Sequence, residues 1–255
     1  MPSNVTEFVF FKIRPDIKPE DPKSSEDGES LLTLFTDTKQ QHGYLHSAWG
    51  RTLEDNDFVV WAVGLSSFHR DIYIRKLRKK DIWLTRTDWT DTRGASRAKL
   101  LTPYLQPETE VLTMYTTLTP SMSIKQLCEN PVTQLCPLTF PTSLTPDEHH
   151  RLNTALVNIR TQELESSVVE ARPLNWFMGH VDRPGIRMHP TSPSGEAFVI
   201  LMVIGWESVE AHVKVRETDQ FKGNLERISE NLLPTGTGLL PGDSLGMTHV
   251  KFWEL

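Results

Sequence analysis

Phe198–His212 reads F-V-I-L-M-V-I-G-W-E-S-V-E-A-H, an unbroken apolar run that stops at Gly205 and turns at once into alternating charged and apolar residues. A strand apolar on both faces is covered on both sides, since its side chains point alternately up and down. The expectation is a central strand, with helices over one face and a second sheet against the other; Gly205 frees the backbone for the turn into a helix. The same order of parts occurs earlier, as F-V-V-W-A-V-G-L-S-S-F-H-R-D over Phe58–Asp71. The chain reads as a duplication.

Elements placed around these two runs give each half the same plan. In the first, V-T-E-F-V-F-F-K-I (5–13) is rich in β-branched and aromatic residues and predicts a buried strand. A polar loop follows, then a helix over 30–41 with Leu31, Leu32, Leu34 and Phe35 on one face, strands near 45–51 and 58–63, a helix to about Lys79 and a strand over 82–90. The second half opens with a strand at E-V-L-T-M-Y-T-T-L-T-P (110–120), followed by a proline-studded insertion over 121–143. Thr145-Pro146-Asp147-Glu148 is a capping box that starts a helix. Strands over 173–180 and 198–204, a helix pair over 209–232 and the terminal strand T-H-V-K-F-W-E-L complete it. Each half reads β-α-β-β-α-β, so the fold class is α+β: two tandem ferredoxin-like units, 1–106 and 107–255, making one barrel within the chain. A length of 255 residues holds two such units, as domains run to about 100–150 residues.

Composition narrows the functional classes. No apolar run approaches the roughly 18 residues of a membrane span, and the N-terminus lacks a basic region followed by an apolar core, so neither a membrane partner nor secretion is expected. Cys128 and Cys136 have no histidine pair at ligand spacing, which points to a reduced, cytoplasmic setting without disulfide scaffold or zinc. The net charge of -6 argues against nucleic acid, and the basic cluster Arg75–Lys80 reads as a solvated helix end. G-x-G-x-x-G after a strand, G-x-x-x-x-G-K-[ST], C-x-x-C and H-E-x-x-H are all missing, so no metal or cofactor is expected.

V-T-E-F-V-F-F-K-I-R-P, A-W-G-R and V-I-G-W-E-S-V-E-A-H-V-K-V resemble the first strand, the end of the second strand, and the third strand with its helix in the dimeric α+β barrel superfamily. That superfamily includes antibiotic-biosynthesis monooxygenases, stress-responsive A/B barrel proteins and olivetolic acid cyclase-like proteins. The fused pair resembles tandem members of fungal secondary metabolism. The resemblance implies a hydrophobic, polyketide-like ligand between sheet and helices, no cofactor, and either a monomer with an internal pseudo-dimer or a homodimer. The cyclase-type histidines are not carried over: Glu7 and Leu112 hold the first-strand positions, and Gln220 and Phe221 the second-helix position.

Strand parity and the resemblance together draft two pockets. Glu7 shares its face with Val9 and Phe11, and by the resemblance with Trp49, Arg51 and Trp61. Leu112, Met114, Thr116, Trp176, Met178, His180, Ile200 and Met202 form the matching set. Glu7 among apolar neighbours suits general acid or base work unless Arg51 keeps it ionised; at a strand edge it would reach water instead. His180 can take a proton from an acidic carbon or phenol with Asp182 orienting it, or it is a surface histidine that opens a loop. Arg51 and Arg183 can steady an oxyanion or serve in surface ion pairs. Phe11, the tryptophans and the methionines are expected to shape the substrate. The function implied is cofactor-independent cyclisation, isomerisation or dehydration of a hydrophobic intermediate. The alternatives are a cofactorless monooxygenase of phenols or anthrones, and a non-catalytic binding module.

Overall fold

The structure is a computed structural model that describes residues 4–40, 43–66, 97–165, 172–183, 185–234 and 247–255. The helix expected to reach Lys79, the strand expected over 82–90 and the basic cluster Arg75–Lys80 lie outside these residues. The strands are β1 (Val5–Lys12), β2 (Tyr44–Arg51), β3 (Phe58–Leu65), β4 (Leu112–Thr116), β5 (Val132–Pro141), β6 (Asn175–Arg183), β7 (Arg187–Met188), β8 (Glu196–Trp206), β9 (Thr248–Val250) and β10 (Trp253–Glu254). The described α-helices are α1 (Glu26–Asp37), α2 (Arg97–Leu101), α3 (Ile124–Glu129), α4 (Pro146–Leu164), α5 (Val209–Arg216) and α6 (Asp219–Ser229).

All the strands join one antiparallel sheet in the order β10-β2-β3-β1-β4-β6-β8-β5-β9, with β7 beside β8. The last residues connect its two ends. β9 pairs with β5 through Thr133–Val250, Val250 also bridges Thr52 just past β2, and β10 lays Trp253 opposite Trp49 on β2. The sheet is thereby curled on itself, and closure leaves little free edge to pair with other chains.

Parity then sorts the core into an interior and two outer faces. Inside lie Phe8, Phe10, Ala62, Leu135, Phe177, Leu201 and Val250, from strands all round the sheet. On one outer face Val9, Phe11, Trp49 and Trp61 pack with Leu31 and Phe35 of α1. On the other, Cys136, Leu138, Trp176 and Met202 pack with Leu152, Leu156 and Ile159 of α4 and with Val215 and Ile228 of α5 and α6. The apolar run of β8 follows from this: Val199, Leu201 and Val203 face the interior while Ile200, Met202 and Ile204 face the helices. Each such side chain contributes about 1.5–3 kcal/mol of burial.

Local signals set the helix starts. Thr145 Oγ1 accepts from the Glu148 N–H, and the Glu148 carboxylate accepts from the Thr145 N–H at 2.7 Å, closing the capping box ahead of α4. α1 begins at Glu26, ahead of the expected Ser30, because Ser25 caps it by accepting from the Gly28 N–H.

The stretch 121–143, expected as an insertion, is instead α3 and β5. The prolines misdirect because β9 covers only Thr133–Leu135, so Pro137 and Pro141 lie where β5 has β8 as its one sheet neighbour and break no second ladder. The strand expected to open the second half, β4, pairs with β1 and β6, with Met114 opposite Phe8. No described helix is long and apolar enough to cross a membrane.

Candidate functional site

Between the outer face of β5, β6 and β8 and the helices α4–α6 lie two adjoining hollows. The first is a cleft of about 400 Å³ with an apolar floor of Leu156, Met178 and Ile200 and a polar rim of Thr117, Asn153, His180 and Asp182. Its base is locked into place. Thr119 and Met178 exchange backbone hydrogen bonds of 2.8 and 3.1 Å, and the Thr116 hydroxyl donates to the His180 carbonyl at 2.9 Å. At Gly179 a Cβ would meet the Thr117 carbonyl oxygen at 2.2 Å, so only glycine permits this approach.

The His180 ring packs against Phe198 at 5.5 Å, and Phe198 in turn lies 5.4 Å from His149. Its ring nitrogens have no hydrogen-bond partner among the described residues. His180 is an exposed residue at the rim, and partial desolvation of its ring holds the imidazole pKa below its usual 6.5; the charge of Asp182 opposes this and His149 adds to it. Near neutral pH the ring is therefore an uncharged base. Asp182 accepts from the Thr117 hydroxyl at 3.2 Å and not from the imidazole, so it acts on His180 through its charge.

The second hollow is a smaller, partly open cavity of about 40 Å³ on the other side of the Met178–Met202 cross-strand pair. Trp176, Met202, Trp206, Ile228 and Met247 line it, with polar groups at Gln134, Glu163, His212 and Asn224. Gln134 accepts from the Trp206 indole N–H at 2.9 Å and donates to the Met247 sulfur at 2.8 Å, while Asn224 donates to Gln162 at 2.6 Å. Glu163 is 3% exposed and has no hydrogen-bond or ion-pair partner among the described residues. Burial pushes its carboxyl up to about 7. The indole N–H of Trp176 is likewise buried without a hydrogen-bond partner among them.

One wall of this cavity is wired to the opposite half of the chain. His212, stacked on Trp206 at 5.1 Å, meets His249 Nε2 through Nδ1 at 2.8 Å, and His249 Nδ1 meets Glu54 Oε1 at 2.5 Å. Glu54 also accepts from the His249 backbone N–H at 3.0 Å and the Thr248 hydroxyl at 2.9 Å. An ionised carboxylate only accepts, so His249 donates from Nδ1 and, when neutral, accepts at Nε2 from the Nδ1–H of His212. Among the described residues no three His, Cys, Asp or Glu side chains are grouped to hold a metal ion.

The structure brings His180, Asp182 and Met178 together at the cleft and Trp176 and Met202 at the cavity. Phe11, Trp49 and Trp61 gather under α1, where Phe35 lies 4.7 Å from Trp61 and 5.9 Å from Trp49. Glu7, 1% exposed, accepts from the Tyr115 hydroxyl at 2.9 Å. Three expectations are corrected or fall away. Arg51 does not meet Glu7 but pairs with Glu20 at 3.1 Å and donates to the carbonyls of Ile17 and Asn56, because it ends β2 at the loop side. Met114 points into the barrel interior, since its register opposite Phe8 puts it on the face away from the helices. The side chain of Arg183 lies outside those described. Glu54, Glu163, His212 and His249 were missed: Glu54 and His249 are 195 residues apart, and no spacing rule links them.

A curled antiparallel sheet with helices on its outer faces is an α+β architecture, and solved proteins similar to it in fold include members of the ferredoxin-like dimeric α+β barrel superfamily. Among solved structures the chain is similar to an anthrone oxidase-like protein, at 12% identity over 99% of this chain and 92% of that one, with a TM-score of 0.55. It is also similar to a protein named as a chlorite dismutase, at 7% identity over 98% and 95%, with a TM-score of 0.53. A protein named as a monooxygenase from Fusobacterium nucleatum aligns at 9% identity over 100% and 93%, with a TM-score of 0.49. At these identities the likeness is one of fold alone. No family model and no curated protein matches the sequence.

Proposed function

We propose that the chain is an enzyme that binds a hydrophobic, polyketide-like compound between the sheet and α4–α6 and moves a proton on it, with His180 as general base. The observation that carries this reading is the neutral imidazole, free of hydrogen bonds among the described residues, at the rim of a cleft of about 400 Å³ floored by Leu156, Met178 and Ile200. An apolar floor binds the carbon skeleton, and the imidazole takes a proton from a phenol or from a carbon beside a carbonyl. The charge of Asp182 favours the imidazolium so formed, and Leu156, Met178 and Ile200 set the shape of the bound compound. The anion then cyclises, isomerises or expels water, and no step calls for a cofactor. The strand orders β2-β3-β1-β4 and β6-β8-β5-β9 support two ferredoxin-like units within one chain, the second opening at β5.

The fold shared with an anthrone oxidase-like protein favours a second reading, in which the same anion of a phenol or anthrone reacts with O₂. One experiment addresses both: a panel of anthrones and resorcinol-type polyketides in D₂O, followed for deuterium uptake at the acidic carbon and for O₂ consumption. Uptake that falls about 10²- to 10⁴-fold in His180→Gln supports proton transfer. O₂ consumed in step with substrate selects the second reading. A panel member that binds but shows neither change makes the cleft a binding module.

A further inference from the structure

We propose that the smaller cavity is a second small-molecule site, separate from the His180 cleft, which takes a compact, uncharged, largely apolar molecule bearing a hydroxyl or carbonyl oxygen, anchored at Glu163. Two buried polar groups carry the inference. Glu163 is 3% exposed, lines the cavity and has no hydrogen-bond or ion-pair partner among the described residues. The indole N–H of Trp176, another lining residue, is buried without a hydrogen-bond partner among them. Buried polar groups are almost always satisfied, so an unmet acid and an unmet donor on one chamber point to an occupant that meets them.

The class of occupant follows from the walls. No lysine or arginine is among the lining residues, so an anion would lose its hydration with no cation to replace it. The carboxyl of Glu163 is pushed up to about 7 and is half protonated near neutral pH, which suits donation to an oxygen better than capture of a cation. The volume of about 40 Å³ is some three times the ~10–15 Å³ that one water requires. Met202, Met247 and Phe221 are soft enough to admit a small ring. The chain Glu54–His249–His212 fixes the donor side of His212 and links the cavity wall to a carboxylate whose side chain is 31% exposed, a route by which the chamber exchanges protons with solvent.

Phenol, an uncharged ring with one hydroxyl, is the probe. The full chain, labelled at its methionine methyl carbons, is titrated with phenol and followed by NMR. Met202 and Met247 report the cavity and Met178 the cleft. Saturable shifts at Met202 and Met247, with Met178 little moved, are expected, with affinity about tenfold weaker in Glu163→Leu through the lost hydrogen bond. Glu163→Gln, which keeps a donor and an acceptor, is expected to bind within about threefold of the parent. His180→Ala leaves these shifts in place, so failure of the cleft reading and failure of this one are distinct results. No saturable shift, a shift confined to Met178, or Glu163→Leu binding as tightly as the parent overturns the proposal.

Discussion

His249 Nδ1 lies 2.5 Å from Glu54 Oε1, tying β9 to the turn after β2. Burial alone would raise the Glu54 carboxyl, but hydrogen bonds from the His249 side chain, the His249 backbone and Thr248 outweigh it and hold the pKa below 4.5. A depressed folded-state pKa gives stability that is present above about pH 4.5 and lost as the pH falls through the folded value. Glu54→Gln is therefore expected to cost about 1–2 kcal/mol at pH 7, with the gap narrowing below pH 4. Urea unfolding of both proteins at the two pH values checks this, and a gap that widens in acid would contradict it.

Closure of the sheet depends on Gly50. A Cβ there would meet the Lys251 carbonyl oxygen at 2.1 Å and the Val250 side chain at 2.7 Å, so the segment between β9 and β10 cannot stay where it is. Gly50→Ala is expected to lose about 2–4 kcal/mol of stability through displaced pairing and an opened interior. Limited proteolysis reads the change: the variant should be trimmed from residue 248 onward under conditions that leave the parent chain whole.

The base at the cleft has a pH signature. His180 sits below 6.5 because partial desolvation of its ring outweighs the opposing charge of Asp182. The deuterium-uptake rate should rise with pH through an apparent pKa under 6.5 and then level off. Asp182→Asn removes the charge that supports the imidazolium, so the rising limb should move to lower pH. A limb that stays put would show that another group titrates.

Local chemistry made most strands and the start of α4 legible: the Phe198–Ile204 run is two-faced, the Thr145–Glu148 box caps α4, and Phe11, Trp49 and Trp61 do share a chamber with Glu7's face of β1. What misled was rule-based punctuation. Prolines at 137 and 141 read as a loop, although a strand tolerates them where one neighbour runs out. Met114 was set on the helix side because strand register is fixed by a partner, β1, that the local sequence does not name. His180 and Asp182 could be grouped from the sequence because they are close in the chain. The Glu54–His249–His212 connection, made by closure of the sheet, carries no local pattern at all.

Glu163 should reveal itself through stability as well as binding. Its carboxyl is raised from 4.5 to about 7 by burial, so between these values the folded chain holds a proton that the unfolded chain has released. Stability therefore falls as pH rises from about 4.5 to 7 and stays low beyond, the reverse of the Glu54 case. Glu163→Gln cannot ionise and keeps the shape, so it should match the parent near pH 4 and exceed it by about 1–3 kcal/mol at pH 8. Denaturant midpoints across this range decide the matter: a variant equal to or weaker than the parent at pH 8 would mean that the ionised carboxylate has found a partner, and the cavity's claim to an unmet polar anchor would go with it.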